Sequence, residues 1–111
     1  MSDEAKKLLT DIFESIMLIE EYTKDKLQFE IYSKNRQLKD SVERRLEIIG
    51  EAMSGLLELD ETISISSSRK IVNTRNKLIH GYDEVEDIIV WEIVVKHLPV
   101  LKTEVKNLLQ L

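Results

Sequence analysis

The sequence has no cysteine, only one proline, three glycines and two histidines. Without thiols there is no disulfide and no thiolate metal site, which fits a reducing compartment such as the cytoplasm. No apolar run approaches the roughly 20 residues that a membrane-spanning helix requires. The longest, Ile88 to Val95, is interrupted by Glu92. The N-terminus, MSDEAKKLL, is acidic before it is apolar and does not read as a secretory leader. No His-x-x-x-His pair, dense carboxylate cluster or glycine-rich phosphate loop is present, so zinc hydrolysis and nucleotide-loop chemistry are unsupported. The length, 111 residues, suits one domain, residues 1–111, with a single helical core.

A further absence is local. Between Thr62 and Tyr82 there is no Asp or Glu, while Arg69, Lys70, Arg75 and Lys77 are basic. That segment carries +4, which leaves −9 on the remainder of a chain whose net charge is −5. An acidic protein is a poor nonspecific nucleic-acid binder, but one basic segment on an acidic body suggests a localised anion site.

What is present is mostly helical periodicity. Ser2 suits an N-cap, with Asp3 and Glu4 at the positive end of a helix dipole. Leu8, Leu9, Ile12, Phe13, Ile16 and Ile19 then recur at helical spacing to about Tyr22. Thr23 to Asn35 reads as a connector, with room for one short helical turn, whose Phe29 plugs the core. Leu38 to Leu59 is the longest periodic element. Val42, Leu46, Ile49, Met53 and Leu56 form one apolar stripe, and Ile48, Ala52, Gly55 and Leu59 a second beside it. Ala52 and Gly55 would admit a close neighbour. Asp60 to Ser68 is a loop whose serines can cap a helix running from about Ser68 to His80, with Gly81 placed to stop it. The run IIVWEIVV is β-branched enough to pass for a buried strand, yet one isolated strand is an implausible domain. A buried helix is the better expectation, with Trp91 in the core and Lys96 and His97 at its end. Pro99 breaks or restarts that helix, and Leu98 to Leu109 forms a last amphipathic one.

The densest chemistry lies in Arg75 to Tyr82, RNKLIHGY. At helical spacing Ile71, Arg75, Leu78 and Tyr82 share a face, so Arg75 sits on an apolar side where a guanidinium is costly without a partner. Arg69, Asn73, Asn76 and His80 form a polar row. Arg75 and His80 are roughly 140° apart around a helix and about 7.5 Å apart along it, so one short helix does not place them on a single substrate atom. A second copy of the chain would close that gap. An imidazole near a helix C-terminus suits transfer of a proton from a ribose 2′-hydroxyl or to a leaving 5′-oxygen. An arginine suits phosphate. A structural role for both, as a buried ion pair or a helix-end cap, fits the spacing equally well.

RNKLIHGY matches the Arg-x4-His-x-Tyr signature of HEPN-domain proteins, and the chain resembles the HepT-like toxins of bacterial and archaeal toxin–antitoxin pairs. VERRLEIIGEAM (Val42 to Met53) resembles that family's central helix, and VEDIIVWEIVVKHLPVLKTEV (Val85 to Val105) its C-terminal helices. Departures fall in the Thr23 to Asn35 connector. The resemblance implies an all-α, mostly up-and-down bundle of about five helices that forms a homodimer. It implies a metal-independent endoribonuclease, without cofactor, acting on RNA such as tRNA or mRNA from a cleft at the dimer seam. Carried over, Arg75 binds phosphate and His80 is the acid/base, with Asn76 and Tyr82 in support. The implied partner is a nucleotidyltransferase (MntA-like) antitoxin that neutralises the toxin by transferring AMP to Tyr82. Two other readings stand beside it: a non-catalytic nucleotide- or substrate-binding subunit of a nucleotidyltransferase complex, and a plain helical dimerisation module.

Overall fold

The computed structural model describes residues 1–66, 68–80 and 85–111, with His80 described by its backbone alone. Every regular element among them is helical. The order is α1 (Asp3–Thr23), α2 (Phe29–Lys34), α3 (Arg36–Leu59), α4 (Ser68–His80), α5 (Asp87–Glu92), a π turn (Ile93–His97) and α6 (Leu98–Leu109). Because α5, the π turn and α6 run on without a break, these elements amount to five helical rods, an all-α HEPN-like bundle as expected. No helix among the described residues is long and apolar enough to cross a membrane.

Local chemistry sets the starts. Ser2 Oγ accepts from the Ala5 N–H at 3.1 Å, and Asn35 Oδ1 accepts from the Leu38 N–H at 3.0 Å. Each satisfies one donor that a helix N-terminus leaves unpaired. The Asn35 cap starts α3 at Arg36, two residues before the apolar periodicity begins.

Packing follows the stripes. Leu9, Ile12, Ile16 and Ile19 of α1 are buried against α3, whose Val42, Leu46, Ile49, Met53 and Leu56 are also buried. The second α3 stripe is only partly covered, since Ala52 is buried while Leu59 is exposed. α4 packs on α3, α6 on α1, and α2 against both α3 and α5.

Three expectations need correction. The connector holds the short helix α2, and its core plug is Tyr32, fully buried, rather than Phe29, which is only partly buried. On α2 the two lie three residues apart on the same flank. Tyr32 reaches Trp91 with ring centroids 5.2 Å apart, against 6.4 Å for Phe29. The run Ile88 to Val95 is buried on one face only: Val90, Trp91, Ile93 and Val94 are inside, while Ile88, Ile89 and Val95 are exposed. Pro99 does not break the rod, although the α-helical pattern restarts around it, with Pro99 in the first turn of α6. Proline has no N–H for the carbonyl four residues back and crowds it. Just before it the helix widens, and the Leu98 N–H bonds to the Ile93 carbonyl in a π turn. Lys96 and His97 therefore lie within a rod rather than at its end. The residue before α4, Ser67, lies outside the described residues, and Ser66 is engaged elsewhere. Its N–H and hydroxyl both donate to the Glu104 carboxylate (3.1 and 2.9 Å), tying the loop to α6.

Candidate functional site

α4 begins in the serine-rich loop and ends at His80, as its periodicity predicts. Ile71 and Thr74 are buried against the bundle, Arg75, Asn76 and Leu78 are half-buried, and Arg69, Asn73 and Lys77 are exposed. Arg75 thus lies at the edge of the apolar face. Its Nε is buried and has no hydrogen-bond partner among the described residues. One terminal guanidinium nitrogen, Nη1, donates to Asn76 Oδ1 at 2.8 Å. The guanidinium is therefore held by its neighbour while keeping donor capacity unspent, and a buried unspent donor costs free energy until an acceptor arrives.

The backbone that carries Arg75 comes close to α3 at Gly50. A Cβ built on Gly50 would collide with Cβ of Arg75, would lie 2.8 Å from its Cγ, and would lie 3.3 Å from the Ile71 carbonyl oxygen. Only glycine leaves room for α4 at that height. The expected close approach at Gly55 is milder, since a Cβ there would meet only the tip of the Leu8 side chain at 3.1 Å. Gly50 was legible in principle: it falls between Leu46 and Met53 on the buried stripe of α3. A glycine inside an apolar stripe marks a tight neighbour.

His80 closes α4, and its side chain is outside the described atoms. Gly81 and Tyr82, expected as helix stop and as modification site, also lie outside the described residues. Of the four site residues picked from sequence, the structure thus brings together Arg75 and Asn76.

Electrostatics along α4 are uneven. The Lys70 ammonium sits 3.1 Å from Glu92, and that hydrogen bond holds the Glu92 carboxyl below its ordinary range. Glu92 also has His97 Nε2 at 3.8 Å. Among the described residues no carboxylate lies within ion-pair distance of Arg69, Arg75 or Lys77. Nor is any group of three or more His, Asp or Glu arranged to hold a metal ion among them.

An all-helical bundle with this order of helices is consistent with a HEPN-like domain. The chain belongs to the ribonuclease HepT-like family, whose model matches residues 12–108. Among its relatives is a protein of Methanocaldococcus jannaschii named "Gamma-glutamylcyclotransferase and putative RNase". It is 39% identical over 111 residues, covering 99% of this chain and 50% of the relative. The chain thus spans about half the length of that two-part protein. A second protein of the same organism, named "Putative RNase", is 35% identical over 93% of this chain and 94% of its own length. A "Probable ribonuclease HepT" of Thermococcus cleftensis is 34% identical over 97% of this chain and 98% of its own. No solved structure matches the chain.

Proposed function

We propose that this protein is a metal-independent endoribonuclease of the toxin–antitoxin kind, cutting RNA at Arg75 and His80. The observation that carries the reading is the state of Arg75. Its backbone is set against Gly50, its guanidinium is steered by Asn76, and its buried Nε has no acceptor among the described residues. An anionic oxygen of a phosphodiester supplies that acceptor. Family membership and the names of the relatives support the same class of substrate.

In this mechanism His80 accepts the proton of a ribose 2′-hydroxyl as its oxygen attacks the adjacent phosphorus, or returns a proton to the departing 5′-oxygen. The P–O5′ bond breaks as the P–O2′ bond forms, leaving a cyclic phosphate and a free 5′-hydroxyl. Arg75 stabilises the charge that gathers on the non-bridging oxygens. One imidazole performs one of the two transfers at a time. A homodimer, with two such helices facing across a seam, supplies the second. The exposed Ile79 on α4 and Ile88 on α5 suit burial against another copy. A nucleotidyltransferase antitoxin in the same cytoplasm, placing AMP on Tyr82, would add negative charge and bulk to the signature stretch and so oppose the binding of RNA.

The test is cleavage of single-stranded RNA and tRNA in excess EDTA by wild type, His80→Ala and Arg75→Lys. Wild type cuts, and His80→Ala is inactive while retaining its fold. Arg75→Lys loses about 10²-fold or more in rate, because an ammonium cannot replace the planar fork. Undiminished cleavage by His80→Ala removes the catalytic assignment. RNA or nucleotide bound but never cut by wild type favours the substrate-binding subunit instead.

A further inference from the structure

Outside the Arg75 site, α4 and the start of α5 enclose a groove of about 400 Å³. It is lined on the α4 side by Lys70, Asn73, Thr74 and Lys77, and on the α5 side by Val85 and Ile89. The four α4 residues recur at three- and four-residue spacing, so they share one helix face, and the two lysines lie about 10.5 Å apart along the axis. The volume is in the lower part of the roughly 300–1,000 Å³ range of small-ligand sites. One nucleotide is an occupant of that size.

The lining divides by chemistry. Cations stand on one wall and aliphatic side chains on the other, with an amide between them. The Thr74 hydroxyl is already spent on the Lys70 carbonyl at 2.8 Å. Asn73 therefore brings the groove's side-chain amide, able both to donate to and to accept from a base edge. Lys70 is neutralised by Glu92, while Lys77 is exposed and has no carboxylate partner among the described residues. The net positive charge of the groove is thus carried by Lys77.

Its place on the helix connects it to the cut. At 100° per residue, and counting from Arg75, Asn76 lies at about 100°, the His80 position at about 140°, Asn73 at about 160° and Lys77 at about 200°. This arc is the outward side of α4, since Ile71 and Thr74 are buried on the other. A strand laid across α4 from Arg75 passes the His80 position before it enters the groove.

We propose, resting on the ribonuclease reading above, that the α4–α5 groove is the subsite for the nucleotide next to the cut in single-stranded RNA. Lys77 holds its phosphate, Asn73 reads its base edge, and Ile89 lies against the base face. Glu92, by neutralising Lys70, leaves the groove with one free cation among the described residues and a weaker hold on RNA than two would give.

The probe is a fluorescent single-stranded RNA made uncleavable by 2′-O-methyl groups, followed by anisotropy at several salt concentrations, with cleavage of the unmodified RNA measured in parallel. For Lys77→Ala, Kd rises roughly fivefold at 0.1 M salt and the log–log salt slope falls by about 0.7, one phosphate contact on a single strand. Glu92→Gln tightens binding, whereas Glu4→Gln, on the first turn of α1, does not. Asn73→Ala changes the preference among bases without changing the slope. Wild type that cuts RNA, together with a Lys77→Ala variant of unchanged Kd and slope, overturns the subsite and leaves the ribonuclease reading standing. Lys77-dependent binding with no cutting by wild type keeps the subsite and removes the catalysis. Wild type that binds no RNA overturns both.

Discussion

Gly50 of α3 and Arg75 of α4 occupy one another's space: the missing side chain of the first is where the Cβ and Cγ of the second lie. The crossing of the two helices and the placement of the arginine are therefore one feature. A change that separates the helices also moves the guanidinium away from where Asn76 now holds it.

Gly50→Ala and Gly55→Ala should consequently have opposite signs. Both replace a helical glycine by alanine, a gain of about 1 kcal/mol in helix propensity. At Gly50 the new methyl meets the first carbons of Arg75 and a backbone carbonyl nearby, and overpacking of this kind costs about 1–3 kcal/mol. At Gly55 it meets a flexible leucine tip, which can yield. Urea denaturation should show Gly50→Ala less stable than wild type and Gly55→Ala equal or more stable. A Gly50→Ala protein as stable as wild type, with unaltered RNA cleavage, would show that α4 can retreat without consequence.

Among the described residues Tyr32 is the largest fully buried side chain, and its hydroxyl has no partner there. Burial first, and then the negative charges of Glu43, Asp87 and Asp40, push its ionisation well above the ordinary range, so it stays neutral. Tyr32→Phe keeps the ring against Trp91 and removes only the desolvated oxygen. Stability should hold or rise by about 1 kcal/mol, since an unpaired buried hydroxyl is a cost. A loss of about 1 kcal/mol or more in thermal or urea unfolding would mean that the hydroxyl is satisfied in solution.

Glu43 is half-buried, and burial followed by the neighbouring Asp40 and Asp87 raises its pKa above 4.5, with Lys39 opposing. The folded state therefore binds this proton more tightly than the unfolded chain. The charged form weighs against folding at neutral pH, and that penalty is relieved as pH falls through the raised value toward 4.5. Glu43→Gln should be more stable than wild type at pH 7, with the difference shrinking to nothing below about 4.5. Urea midpoints across this range decide the matter, and a constant difference at all pH values would locate the effect elsewhere.

The long helices were legible because apolar stripes of period 3.6 have one physical meaning in a chain with a single proline. Ser68 to His80 was readable to the residue, since a loop rich in serine precedes it and its basic, acid-free content is distinctive. Tyr32 was harder, because Leu27, Phe29 and Ile31 alternate like a strand, and only the depth of the α2 dock shows which ring goes inside. The π turn was hidden, as proline announces a disturbance without saying how the backbone accommodates it. At the site, Arg75 on an apolar edge followed directly from helical spacing. Gly50 in its apolar stripe signals a tight neighbour, but not that the neighbour is Arg75, because contact between α3 and α4 is a property of two distant segments. The α4–α5 groove escaped for the same reason: Lys77 and Ile89 are neighbours only after folding.

The contact between Tyr32 and Trp91 also gives this protein a built-in optical gauge. Trp91 is the sole tryptophan, and α4 carries no aromatic residue at all. Indole emission therefore registers whether α2 is docked on the C-terminal rod, with no contribution from the helix that bears Arg75. A variant in α4 that silences RNA cleavage while leaving the emission spectrum unchanged has lost chemistry, and one that shifts the spectrum has lost its fold. The distinction that every substitution in the site requires can be read from the same cuvette.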